Sequence, residues 1–90
     1  MNERYLEITY RRGQPVAAYL YLPRAPDDRS QRVVREGHGL VVDFTAGGQP
    51  IGIEIVSPND VSLAMLNEIL AKYALPPLEQ GELAPLVAVA

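Results

Sequence analysis

The most constraining feature of this sequence is a pair of apolar segments joined by a glycine-rich turn. Residues 40–44 and 51–55 alternate apolar and other side chains, and Gly47-Gly48 lies between them. A two-residue turn at these glycines, which tolerate the positive φ of a primed turn, places six apolar side chains on one face. The cross-strand pairs are Phe44–Ile51, Val42–Ile53 and Leu40–Ile55. Since a one-residue slip would bring Asp43 and Glu54 to that face instead, the pattern predicts an antiparallel hairpin of fixed register.

Three more segments have the period-two alternation and the β-branched or aromatic residues typical of strands. They are residues 5–10, 16–22 and 32–36. The longest loop is predicted at residues 23–30, which contain two prolines and no periodic apolar residues. Between the third and fourth strands, a two-residue turn would point Arg35 toward the core, whereas a three-residue turn would point Val34 there. We favour the three-residue turn.

A helix is predicted at residues 58–74, directly after the hairpin. Ser57 is in the position of an N-cap, Pro58 occupies the first helical position and Asp60 the third. Apolar residues then recur every three or four positions, as on one face of an amphipathic helix. They are Val61, Met65, Leu66, Ile69, Leu70 and Tyr73. The stretch 75–77 contains two prolines and ends the helix.

These elements predict an α+β fold, an antiparallel β-meander of five strands with one C-terminal helix packed on one face. The chain has 90 residues, enough for a single domain, which we place at residues 1–77. Residues 78–90 form a predicted C-terminal tail, either flexible or at a subunit interface. The sheet face opposite the helix is expected to stay partly apolar, and such a face favours a homodimer.

Composition narrows the classes of function. The sequence has no cysteine, which excludes disulfides, thiol nucleophiles and cysteine-ligated metals. No apolar run approaches the roughly 18–20 residues of a spanning helix, and the N-terminus lacks the apolar core of a signal peptide, so a cytoplasmic protein without membrane contact is expected. Residues 1–36 contain seven arginines, but five acidic residues are interleaved with them. Nucleic-acid binding is therefore not expected, because it normally needs a clustered basic face.

Four residues are candidates for an interaction surface: Tyr19, Tyr21, Asp43 and Glu54. The two tyrosines alternate away from the apolar positions of their strand, and tyrosine is favoured both at contact surfaces and in cross-strand ladders. The two carboxylates are diagonal neighbours on the outward face of the hairpin, within reach of a common ligand. A solvated or salt-bridged face explains them more simply, because a hard cation needs more oxygen ligands.

Two further residues, His38 and Gly52, are notable for their position in the chain. His38 is the only histidine and lies in a turn, without a second histidine or cysteine to complete a zinc site. Gly52 interrupts a strand opposite Asp43, which predicts close approach of a side chain or a partner's backbone over that face. No metal, cofactor or catalytic residue is predicted.

The hairpin also resembles a known family. The segments Gly39–Phe44 and Gly48–Ile55, with Gly52-Ile53-Glu54-Ile55 the most specific part, are similar to the signature of DUF2283, a prokaryotic family of small uncharacterised proteins. Its members have a valine–aspartate pair, an acidic turn ending in glycine, and a Gly-Ile-Glu-Ile strand before a helix. Upstream, residues 18–22 and Tyr10 are similar to further family positions. The resemblance covers residues 5–57 and supports the fold more than a function.

This chain departs from the family pattern at three places. Arg11 and Arg12 follow Tyr10, and Pro15-Val16 precedes the second strand, where family members usually have aspartates. Thr45-Ala46-Gly47 replaces the acidic turn. Any role of those acids in relatives does not transfer to this chain.

The predicted function is that of a small non-enzymatic module that associates with itself or with another protein. An antitoxin-like or regulatory accessory role belongs to this class. The alternative is a metal- or small-ligand-binding protein, or a minor hydrolase, that uses Asp43 and Glu54.

Overall fold

The structure is a computed structural model, and it describes residues 3–79, 81 and 82. Five strands form one antiparallel sheet: β1 (Tyr5–Arg11), β2 (Gln14–Tyr21), β3 (Arg32–Gly37), β4 (Leu40–Phe44) and β5 (Pro50–Ile55). A short 3₁₀ helix (Pro58–Asp60) and the helix α1 (Leu63–Lys72) follow. The predicted α+β class, with five antiparallel strands and one C-terminal helix, is confirmed.

The strand order corrects the predicted meander. The order is β1-β2-β5-β4-β3, so β2 pairs with β5 and the loop after β2 crosses to the far edge of the sheet. A meander would place β3, with its charged side chains Arg32, Arg35 and Glu36, at the centre. Instead the centre is β5, of which only Glu54 is exposed. The observed order therefore buries the most apolar strand and leaves the charged strand at an edge.

The β4–β5 hairpin has the predicted core pairs Leu40–Ile55 and Val42–Ile53, but a different turn. The Thr45 N–H donates to the Gln49 carbonyl at 2.9 Å, so the loop between these two residues has three residues, 46–48. Only Gly48 of the two glycines has a positive φ, of 90°. This loop pairs Phe44 with Pro50 rather than Ile51, and a bulge then restores the predicted register.

The β3–β4 hairpin also differs from the prediction in its turn, and a bulge compensates for that difference. Gly37 pairs with Leu40, so the turn has two residues, His38-Gly39, both with positive φ. A bulge between Arg35 and Gly37 then sets Val34 opposite Val42, on the core side. The predicted direction of Val34 is confirmed, whereas the predicted three-residue turn is wrong.

The helix begins five residues later than predicted. The Ser57 side chain makes no capping hydrogen bond, and Val61 is extended, with φ −111° and ψ 131°, which separates the 3₁₀ turn from α1. The N-cap is Ser62, whose Oγ accepts a hydrogen bond from the Met65 N–H at 3.2 Å. The predicted apolar stripe faces the sheet, and Leu66, Ile69 and Leu70 are buried.

The core lies between α1 and one face of the sheet. Its buried strand residues come mainly from β2, β4 and β5, while Leu6 and Ile8 of β1 and Val34 of β3 pack at its margin. Leu78, the first residue of the predicted tail, is buried in the same core, and its backbone exchanges two hydrogen bonds with the Asn67 amide at 2.7 and 3.2 Å. The packed structure therefore extends past residue 77, and residues 80 and 83–90 of the predicted tail lie outside the described residues.

Candidate functional site

The sheet face opposite α1, here called the open face, is covered by no element of the described chain. Strand register arranges its central residues in two rows that cross all five strands. In strand order, the first row is Tyr5, Tyr21, Gly52, Asp43 and Val33. The second row is Glu7, Tyr19, Glu54, Val41 and Arg35. All four predicted site residues therefore lie on one surface.

Three tyrosines form a continuous aromatic cluster on the β1–β2 side of the open face. The Tyr5 and Tyr21 rings stack with centroids 4.4 Å apart, and Tyr21 meets Tyr19 edge to face at 4.7 Å. Both geometries are favourable for aromatic pairs. Tyr5 nevertheless remains 46% exposed. The predicted cross-strand tyrosine ladder is thus present, and one side of it faces solvent.

Tyr19 crosses the middle strand and covers Gly52. A Cβ atom at Gly52 would lie 1.8 Å from the Tyr19 hydroxyl oxygen, so only glycine leaves room for the ring. Beyond Gly52, that hydroxyl donates a hydrogen bond to Asp43 Oδ2 at 2.6 Å. The close approach predicted at Gly52 is confirmed, and the approaching group is a side chain of the same chain.

Two tyrosine hydroxyls on this surface are hard to ionise. Burial, followed by the hydrogen bond to Asp43 and its charge, raises the pKa of Tyr19 well above its ordinary value. Burial and the nearby Glu7 carboxylate raise the pKa of Tyr21. Both phenols are therefore hydrogen-bond donors near neutral pH, and neither is suited to act as a nucleophile or a general base.

Arg24, in the loop after β2, places its guanidinium 5.3 Å from the centre of the Tyr21 ring. The other charges of the open face lie at separate places. Glu7 is near the β1 edge, where it accepts a long hydrogen bond of 3.4 Å from the Tyr21 hydroxyl. Glu54 lies on the central strand and is exposed, and Arg35 lies on β3 at the opposite edge. Exposed apolar side chains lie beside these charges. Val33, on the same strand as Arg35, is 58% exposed, and Val56, after β5, is 49% exposed. The face predicted to remain partly apolar does so.

Asp43 and Glu54 lie on neighbouring strands of the open face. They are diagonal neighbours, as predicted, because Asp43 pairs with Gly52 and Val41 with Glu54. Asp43 is engaged by Tyr19, and residues 3–79, 81 and 82 contain no group of three or more His, Cys, Asp or Glu side chains that could hold a metal ion.

His38 lies away from the open face. It occupies the β3–β4 turn beside a surface groove of about 260 Å³ that Glu36, Met65 and Glu68 also line. Glu36 in this groove accepts hydrogen bonds from Lys72 Nζ, at 2.8 Å, and from the Tyr73 hydroxyl. The groove thus contains an internal contact between β3 and α1.

Four residues of the two rows were not placed on this face from the sequence: Tyr5, Glu7, Val33 and Arg35. A usable signal existed for the first two, since a two-residue turn at Arg12-Gly13 fixes the pairs Tyr5–Tyr21 and Glu7–Tyr19, apart from one bulge. Arg35 had no such signal, because its row depends on β4 and β5 lying next to β2.

Comparison of this chain with family models, with curated proteins and with solved structures finds no match. The resemblance to DUF2283 therefore stays a prediction. No helix among the described residues is long and apolar enough to cross a membrane.

Proposed function

We propose that this protein is a small non-enzymatic interaction module whose contact surface is the open face. The observation that carries the proposal is an aromatic and apolar sheet face that α1 leaves uncovered. Tyr5, Val33 and Val56 are each at least 46% exposed there. Contiguous exposed apolar surface that is rimmed by polar groups is typical of protein-binding sites. Tyrosine adds contact area together with a polar tip.

The chemistry of the face favours binding over catalysis. A catalytic pair of carboxylates needs environments that separate their pKa values, and an open sheet face does not provide them. The Asp43 carboxylate accepts a hydrogen bond from the Tyr19 hydroxyl, and Glu54 is exposed. The alternative of a metal-binding protein or small hydrolase at these two residues therefore has no specific support from the geometry.

The proposal includes the finer expectations that the protein acts in the cytoplasm, has a regulatory or antitoxin-like accessory role, and is related to DUF2283. The first is a sequence-based expectation. The other two rest on the size of the chain and on the hairpin residues already described.

The proposal is tested with a substitution that alters the face without disturbing the fold. Val33→Gln places a polar side chain on an exposed edge-strand position, and Ala64→Gln does the same on the exposed side of α1. Proteins retained by tagged wild type, including untagged copies of the chain itself, are quantified by mass spectrometry. We expect Val33→Gln to lose the retained protein and Ala64→Gln to keep it. Equal retention by all three forms would overturn the proposal.

A further inference from the structure

We propose that the open face packs against the open face of a second copy of this chain, in a two-fold dimer whose axis runs parallel to the strands. The inference rests on the proposed function and names the partner. It follows from the distribution of charged and apolar side chains over the two edges of the sheet.

Strand order sets the geometry of such a dimer. The central strand is β5, and the edges are β1 and β3. A two-fold axis along β5 sets β1 of one copy over β3 of the other and keeps each cross-strand row over the same row. Sheets that pack face to face keep their strands within about 30° of parallel, so this arrangement is an ordinary β-sandwich contact.

The charges of the two edges are complementary in this arrangement. Glu7 on β1 and Arg35 on β3 lie at opposite ends of the same row. In the dimer, Glu7 of each copy faces Arg35 of the other copy, so the contact contains two such pairs. Arg35 is exposed and has no ion pair or hydrogen bond within the described residues. The dimer therefore provides a partner for a guanidinium that has none in the described monomer.

The apolar residues of the edges match as well. In the other row, Tyr5 on β1 and Val33 on β3 are 46% and 58% exposed. The same axis sets Tyr5 of one copy on Val33 of the other, and it sets Tyr19 on Val41. The exposed apolar side chains at both edges of the face thus become covered.

The other face-to-face arrangement, with an axis perpendicular to the strands, exchanges the two rows. It sets Arg35 against Val33 and Glu7 against Tyr5, which leaves both charges without an opposite charge in a partly dehydrated contact. Charge complementarity therefore selects the strand-parallel axis.

The selected axis has one unfavourable consequence, which serves as a check. Glu54 lies on the central strand, so the two copies of Glu54 face each other across the axis. Like charges in a contact weaken it. Glu54→Gln should therefore lower the dissociation constant of the dimer several-fold.

The experiment mixes two charge-reversal variants. Arg35→Glu alone sets two Glu–Glu pairs in its homodimer, and Glu7→Arg alone sets two Arg–Arg pairs. The heterodimer of the two variants contains two opposite-charge pairs instead. We expect each variant alone to dimerise about tenfold more weakly than wild type, and the equimolar mixture to form mainly heterodimer. Native mass spectrometry resolves the three dimers, and circular dichroism confirms that each variant is folded.

The matched controls reverse charges on the other side of the molecule. Arg32→Glu lies on the same strand as Arg35 but on the helix side, and Glu68→Arg lies on the exposed part of α1. Their mixture should give the statistical proportion of heterodimer, and each alone should dimerise like wild type. If the mixture of Arg35→Glu with Glu7→Arg also gives only the statistical proportion of heterodimer, the proposed geometry is overturned.

A monomeric wild-type chain at every concentration tested would overturn the dimer itself. The proposed function is overturned by a different result, in which Val33→Gln retains the same proteins as wild type. A monomer whose captured partner is lost in Val33→Gln would show that a different protein occupies the open face.

Discussion

Tyr19 and Gly52 determine the character of the open face at the scale of single residues. The missing side chain at Gly52 lets the Tyr19 side chain cross the central strand and reach Asp43. The carboxylate gains a hydrogen-bond donor, and the ring adds apolar area where a side chain on β5 would otherwise project. One glycine thus leaves room for an aromatic side chain over the middle of the open face.

Gly52→Ala is expected to destabilise the fold by about 1–3 kcal/mol, the usual cost of forcing extra atoms into a packed site. The cause is specific, since the new Cβ would occupy the space of the Tyr19 ring. In a Tyr19→Ala background the same substitution should cost much less. Urea unfolding of the four proteins in this double-mutant cycle measures the coupling. Additive costs would contradict the account of Gly52.

Sequence reasoning located Gly52 but could not name the group above it. A glycine inside a strand indicates close approach, which is a local signal. The approaching side chain comes from β2, and the pairing of β2 with β5 depends on a crossover that no local pattern contains. For the same reason the Tyr19–Asp43 hydrogen bond could not be predicted, although both residues were candidates.

At the scale of elements, both hairpins place the predicted residues in the core, although their turns differ from the predicted turns. In each hairpin a bulge compensates for the difference in turn length. In β4–β5 the loop is one residue longer than predicted, and a bulge takes up the difference. In β3–β4 the turn is one residue shorter, and a bulge at Glu36 takes up that difference. The apolar pattern determines which side chains enter the core, whereas turn type and bulge position depend on finer backbone preferences.

The edge strand β3 is attached to α1 by a polar contact that the sequence did not predict. Glu36, whose side chain is only 8% exposed, accepts hydrogen bonds from Lys72 and Tyr73 at the C-terminal end of the helix. These hydrogen bonds, the one from Lys72 first, hold the pKa of Glu36 below its ordinary value. The bulge at Glu36 is therefore where the strand meets the helix.

This contact predicts a component of acid sensitivity. Because the native pKa of Glu36 is lowered, its stabilisation is complete above the ordinary carboxyl pKa and is lost as the pH falls through the native value. Glu36→Gln should lower the free energy of unfolding by about 1 kcal/mol at neutral pH, and the difference from wild type should shrink in acid. Urea unfolding from pH 7 to pH 3 tests this, with the exposed Glu68→Gln as control. A constant difference across that range would contradict the assigned role.

At the scale of the whole molecule, class and strand count were predictable, whereas strand order was not. Alternation and helical spacing are local, and they correctly indicated five antiparallel strands followed by one helix. The order depends on which strands can lie at an edge of the sheet. The charges of β3 and the apolar side chains of β5 decide that in favour of β1-β2-β5-β4-β3.

Strand order also determines the functional surface. It brings tyrosines from β1 and β2, carboxylates from β4 and β5, and an arginine from β3 onto one face. Helix α1 covers the other face of the sheet. The proposed dimer makes this open face a protein contact with a second copy of the chain.

Sedimentation velocity of wild type and of Val33→Gln, over a range of micromolar concentrations, tests that claim most directly. The account predicts a wild-type species of about twice the 9.9 kDa chain mass, and a shift toward the monomer in Val33→Gln at the same concentrations. A single species of 9.9 kDa for wild type throughout that range would contradict self-association through the open face, as would a dimer that Val33→Gln leaves unchanged.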